Sequence, residues 1–155
     1  MVISMEDNMQ KYENYKEQFK RLKRAIDNMF FLEAISIEYA IFEDRTKAIL
    51  TLAGKYEAYL KKRGRYSETL DSKVKYIQGF ASEKKSLLHR YFGDNTLERI
   101  LDWKESRNTL IHALLNQKLT TENLKDVAST GQGLARIICD RVTNYRRYLM
   151  RHQDK

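Results

Sequence analysis

The sequence predicts an all-α fold, an up-and-down bundle of about five helices within a single domain over residues 1–155. Three observations carry this prediction. The 155 residues contain no proline, so nothing of that kind interrupts a long helix. Six glycines allow few tight turns, which makes an arrangement of many short strands a poor fit. Apolar residues recur at helical spacing along most of the chain. The 42% of hydrophobic residues is enough for one sizeable core, and the 32% of charged residues suits helices with solvated outer faces.

The first helix is expected from about Glu6 to Ile26, with Met9, Tyr12, Phe19, Leu22 and Ile26 as its apolar stripe. The second is expected from about Met29 to Lys62, with Leu32, Ile35, Tyr39, Phe42, Ile49, Tyr56 and Leu60 inward. Asp27 and Asn28 are suitable caps between the two, but neither glycine nor proline forces a break, so one bent helix and two helices both fit. Gly64 is placed to end the second helix after the basic turn Lys61, Lys62 and Arg63. The third helix follows from about Leu70 to Tyr91, with Leu70, Val74, Ile77, Ala81, Leu88 and Tyr91 inward.

Gly93 ends that helix, and Asn95 with Glu98 forms a capping-box pattern for the fourth, about Thr96 to Asn116. The stretch "KLTTEN" separates it from the fifth, about Thr121 to Met150, whose stripe is Leu124, Val127, Leu134, Ile138, Val142, Tyr145 and Leu149. Gly131 and Gly133 lie inside this helix. Each costs about 1 kcal/mol relative to alanine, which points to close packing or a kink. The breaks near residues 64–69, 93–95 and 117–120 favour a folded-back bundle over one long coiled coil.

The formal charge of +8 favours polyanionic partners such as RNA, DNA or an acidic protein surface. Basic runs at 20–24 ("KRLKR"), 61–65 ("KKRGR") and 146–147 are first of all solvated faces, and are also where phosphates would be neutralised if RNA binds. The lone cysteine, Cys139, has no internal disulfide partner, and its setting in "ARIICDRV" makes it a small core residue rather than a nucleophile. The ten tyrosines fall mostly on helical stripes, as core or interface residues. No Cys/His cluster has metal-site spacing, and no Glu-x-x-His motif of a di-metal bundle occurs. No cofactor is expected. The apolar patch in "MVISMEDN" is too short for a signal peptide, and no run approaches 18 apolar residues. A cytoplasmic protein without membrane association is expected.

The stretch that asks for a chemical explanation is "ESRNTLIHALL", residues 105–115. It sets Arg107, Asn108 and His112 among Leu110, Ile111, Leu114 and Leu115. Asn108 and His112 are four apart and share a face, Lys104 continues that line as a substrate-binding candidate, and Arg107 lies on the flank. These residue types suit cleavage of a phosphodiester. Histidine titrates near neutrality and can take a proton from a ribose 2′-hydroxyl or give one to the leaving oxygen. Arginine holds the phosphate and meets the charge that grows in the transition state. Asparagine can orient the phosphate or the imidazole. The bland readings are a boundary histidine and a surface arginine paired with Glu105 or Asp102. The polar line also suits the seam of a dimer.

The motif "RNTLIH" resembles the Arg-x4-6-His signature of the HEPN superfamily (higher eukaryotes and prokaryotes nucleotide-binding). The likeness rests on the spacing, on the polar residue after the arginine and on the place late in an all-α chain. It implies a HEPN-like bundle, a homodimer with a composite site, and a metal-independent endoribonuclease of toxin–antitoxin, phage-defence or CRISPR systems. Arg107, Asn108 and His112 are then the catalytic residues, RNA the substrate, and an antitoxin or regulatory protein a possible partner. In relatives paired with a nucleotidyltransferase antitoxin a tyrosine often stands two residues after the histidine. Here that position is Leu114. "RRYLMRH" at 146–152 also satisfies the loose pattern, but it lacks the polar residue and sits at a terminus that frays. His89 reads as a helix-terminal residue complementing the dipole. The alternative function is a non-catalytic helical module of the same fold that binds RNA or protein.

Overall fold

A computed structural model describes residues 5–64, 68–116 and 120–153. Among the described residues the chain forms seven helices and no strand: α1 (Met5–Asp27), α2 (Phe31–Leu52), α3 (Tyr56–Arg63), α4 (Leu70–Ala81), α5 (Leu87–Phe92), α6 (Thr96–Ala113) and α7 (Thr121–Arg151). The all-α class is as the sequence predicts, but two of the five expected helices are each divided. Residues 65–67 and 117–119, in two of the expected breaks, lie outside the described residues.

Each division has a local cause. Between α1 and α2 the chain turns at Met29, a non-glycine residue with φ of 61°, and the Phe30 amide donates back to the Ala25 carbonyl at 2.8 Å. The Asn28 side chain donates to the Arg24 carbonyl at 2.7 Å, so it closes α1 rather than opening α2. The expected Met29–Lys62 helix ends at Leu52 because Gly54 adopts φ of 69°, the left-handed conformation that terminates helices, and the Lys55 amide returns to the Leu50 carbonyl. The expected Leu70–Tyr91 helix stops at Ala81. Ser86 then caps α5 by accepting from the His89 amide at 3.0 Å, and the His89 ring donates from Nδ1 to the Ala81 carbonyl at 2.7 Å. His89 therefore ties two helices together, a more specific role than a dipole complement.

One cap also differs from expectation. Asn95 makes no side-chain cap. Asp94 takes that part, accepting from the Thr96 amide and hydroxyl at 3.1 Å each while pairing with Arg141 of α7 at 2.6 Å. Thr69 and Ser72 form a reciprocal capping box at the start of α4. Gly64 ends α3 with φ of 61°, as its position suggests.

One hydrophobic cluster draws side chains from all seven helices. α2 is its spine: it packs most extensively on α7 and also meets α1, α4 and α6. Phe42 and Ile49 of α2, Ile77 of α4, Phe92 of α5, Ile100 of α6 and Ile138 of α7 are fully enclosed. Trp103 is 2% exposed and meets the Phe42 ring edge-on at 4.8 Å between centroids. Met9, Tyr12 and Leu32, expected on core stripes, are exposed. Gly131 explains one of the two helix glycines. A Cβ there would collide with Glu38 Oε1 and stand 2.6 Å from Trp103 Nε1, so glycine lets α7 close onto α2 and α6. At Gly133 a Cβ would meet open space. No helix among the described residues is long and apolar enough to cross a membrane.

Candidate functional site

The motif residues lie in the second half of α6, held between α2 and α7. Trp103 anchors this helix, because its indole Nε1 donates to the Val127 carbonyl of α7 at 3.0 Å. Leu110 and Ala113 turn inward beyond it. The core face is therefore rotated from the expected one: Ile111 and Leu114 are each 40% exposed and Leu115 is 96% exposed. These three apolar residues surround the end of the helix where His112 lies.

Arg107 is half-buried. Its guanidinium carbon sits 4.3 Å from the centroid of the Tyr39 ring of α2, a cation–π contact, and Nη1 donates to Asn108 Oδ1 at 3.0 Å. Its Nε is buried with no hydrogen-bond partner among the described residues. The Tyr39 hydroxyl is pushed above its ordinary range by burial and by the charge and hydrogen bond of Glu43, against which Arg107 and Lys104 pull. Tyr39 is the residue of this site that the motif alone does not disclose. The sequence places it on an α2 stripe, but only the α2–α6 pairing puts its ring under Arg107.

Asn108 is half-buried and engaged with Arg107. His112 is exposed in the last turn of α6, and its carbonyl accepts from Asn116 Nδ2 at 3.4 Å. At 3.6 residues per turn, His112 lies about 40° round the axis from Asn108 and about 140° from Arg107. Within one chain the structure thus brings Arg107 and Asn108 into contact and sets His112 on another flank.

Lys104 faces α4. It pairs with Asp71 at 2.7 Å and with Glu105 at 3.2 Å, and its side chain is only 13% exposed. Burial would lower its pKa, but these two carboxylates outweigh that and raise it. A second buried lysine, Lys73, lies farther along the α2–α4 seam, joined to Glu43 and, at 3.5 Å, to Glu68. The groups behind Arg107 therefore form a paired polar layer, in which each lysine already has a carboxylate.

Glu38 is another residue that sequence reasoning does not single out. It is 0% exposed, and neither carboxyl oxygen has a hydrogen-bond partner among the described residues. Burial pushes its carboxyl up to about 9, so it is neutral at pH 7. Its signal is present in the spacing, since Phe31, Glu38 and Arg45 recur every seven residues along the buried face of α2.

The decoy histidine, His152, is placed rather than frayed. It stacks on Tyr148 with centroids 4.0 Å apart and donates from Nδ1 to the Tyr148 carbonyl at 2.7 Å. Cys139 is half-buried, and burial pushes its thiol up to about 12, in keeping with a structural cysteine. No protein-family model, no curated protein and no solved structure matches this chain.

Proposed function

We propose that the chain is a homodimeric, HEPN-type endoribonuclease whose composite site is assembled from two copies of α6. The observation that carries this reading is the end of α6 itself. An exposed histidine stands there among exposed Ile111, Leu114 and Leu115, one to two turns beyond an arginine held in place by Tyr39 and Asn108. A twofold axis through this end would cover the apolar side chains and carry His112 of one copy toward Arg107 of the other. The 140° between them on one helix is then no obstacle.

The reaction needs few parts. The 2′-oxygen of the ribose attacks the adjacent phosphorus while His112 takes its proton. The bond from phosphorus to the 5′-oxygen breaks, and the protonated His112 changes role and gives the proton to that oxygen. The products are a 2′,3′-cyclic phosphate and a 5′-hydroxyl. Arg107 of the other copy stabilises the charge that grows on the non-bridging oxygens, and Asn108 fixes the guanidinium. Lys104, paired with Asp71 of α4 and with Glu105, holds α6 against α4 behind this seam. A toxin or phage-defence role, restrained by a protein partner, is the setting this reading implies.

A second reading draws on the same geometry. Arg107 and Lys104 are both engaged inside the chain, which suits a non-catalytic module that binds RNA or protein with this face. The two readings separate in one assay. Purified protein is incubated with single-stranded RNA in the presence of a chelator, and the product ends are identified. The nuclease reading expects cyclic phosphate ends, resistance of a substrate carrying 2′-deoxyribose at the cut site, and a rate lowered by about 10²–10⁴ in His112→Ala. Cleavage of the 2′-deoxy site, or an unaltered rate in His112→Ala, contradicts it.

A further inference from the structure

A second charged site lies away from α6, in a groove of about 460 Å³ between α1 and α7. Its floor is a network in which Lys11 and Arg45 share the one carboxylate of Asp44, a net charge of +1. Asp44 accepts from the Tyr15 hydroxyl, from Arg45 at 2.6 Å and from Lys11 at 3.2 Å, and Arg45 also stacks over the Tyr15 ring at 4.4 Å. Burial alone would raise the Asp44 carboxyl, but hydrogen bonds from Tyr15 and Arg45 and the charges of Arg45 and Lys11 hold it down at about 2.

The rim is different. Lys16 of α1 and Arg146 and Arg147 of α7 also line the groove, and none of the three has an ion pair or hydrogen bond among the described residues. Asp140 is the one carboxylate among the described lining residues, so the three unpaired cations of the rim exceed it by two, and with the floor the groove carries a surplus of three positive charges. Arg146 is the most stressed of them. Its Nε is buried without a partner among the described residues, and it is held next to the like charge of Arg45. A fold gains nothing from packing unpaired guanidinium groups together. An anion bound between them would relieve both the desolvation and the repulsion.

The rim also distinguishes between anions. A surplus of more than one positive charge, two on the rim alone, suits a phosphate monoester, which carries about −1.5 to −2 at pH 7, better than a diester with one charge. The groove is larger than a bare phosphate needs and falls within the range for small-molecule sites, roughly 300–1,000 Å³. Tyr12 lines it with a ring that is 67% exposed, ready to stack on a flat partner, and the Thr143 hydroxyl lies alongside. We propose that the α1–α7 groove binds a nucleotide through its terminal 5′-phosphate, with Arg146, Arg147 and Lys16 around the phosphate and Tyr12 under the base. The nucleotide is either free or the 5′ end of an RNA strand. This site does not depend on cleavage at α6, and its test reads binding alone.

The test is calorimetric titration of the full chain with three probes: adenosine 5′-monophosphate, and a single-stranded 2′-O-methyl decamer with and without a 5′-phosphate. The 2′-O-methyl groups prevent attack by the 2′-oxygen, so a nuclease cannot consume the probe. Adenosine monophosphate should bind, and Arg146→Met should weaken it by roughly tenfold to a hundredfold, the worth of a hydrogen bond to a charged group. Lys16→Glu, on the exposed side of α1, should weaken it likewise and decides the matter if Arg146→Met does not fold. If the 5′-phosphorylated decamer binds and its 5′-hydroxyl twin is at least tenfold weaker, the natural ligand is a strand end. If only the mononucleotide binds, it is a free nucleotide. Failure of both phosphorylated probes to bind, equal binding of the two decamers, or full affinity in Arg146→Met and Lys16→Glu would overturn the proposal.

Discussion

Replacing Glu38 by glutamine should remove a large part of the stability loss that the protein suffers as pH rises from weakly acid toward about 9. In the folded chain the carboxyl is 0% exposed with both oxygens unpartnered among the described residues, and its pKa is raised by burial from the ordinary 4.5 to about 9. Between those two values the native state keeps a proton that the unfolded state releases. The unfolded chain then binds fewer protons, so stability falls as pH rises. The contribution of Glu38 is complete below the unfolded value and is lost progressively as pH climbs toward the folded one. The slope for one such group is about 1.4 kcal/mol per pH unit. From pH 5.5 to 8, Glu38 alone should remove about 3 kcal/mol, a sizeable share of the roughly 5–15 kcal/mol by which domains are stable. Urea unfolding followed by the fluorescence of Trp103, the lone tryptophan, measures this at each pH. The stability of the wild type minus that of Glu38→Gln should fall by about 3 kcal/mol across this range, with other titrating groups cancelling in the difference. Parallel curves would mean that Glu38 reaches water or a partner, and would refute the argument.

Two further expectations follow from the core. Gly131→Ala should destabilise by roughly 1–3 kcal/mol, the usual cost of overpacking, because its Cβ would collide with Glu38 and Trp103, whereas Gly133→Ala faces open space and should stabilise by up to about 1 kcal/mol; urea midpoints of the two variants compare them directly, and equal effects would contradict the packing. Cys139, with its thiol pushed up to about 12, should react with a thiol reagent at pH 8 much more slowly than a free thiol, because so little of it is thiolate; a rate like that of a free thiol would contradict this.

Helical periodicity locates most of the core but conceals two turns. Ala81 and Leu88 are both buried and stand seven residues apart, and the buried Ile49 and partly buried Tyr56 have the same spacing, so the pattern runs on as though the helix were continuous. What breaks the first pair is a serine cap and a histidine ring, groups whose partners appear only in three dimensions. Gly54 does mark the second break in the sequence, though a single glycine is tolerated in many helices. Nothing local foretells the left-handed Met29. At the site, the adjacency of Arg107 and Asn108 is legible because they are neighbours. The Tyr39 ring beneath them is not, since that contact needs α2 laid along α6. The outward turn of Ile111 and Leu114 is likewise hidden, because the packing of α6 against α2 and α7 decides which of its apolar residues face inward.

The central claim is that cleavage uses Arg107 of one copy and His112 of another. Mixing two inactive variants tests it most directly. Arg107→Ala and His112→Ala are each assayed alone on single-stranded RNA, then unfolded together, refolded at equal concentration and assayed again. A heterodimer retains one of the two pairings of arginine with histidine across the twofold axis. Half of the randomly paired dimers are heterodimers, so activity should return to about a quarter of the wild-type rate. A mixture no more active than the variants apart, although sedimentation shows heterodimers, would contradict the claim.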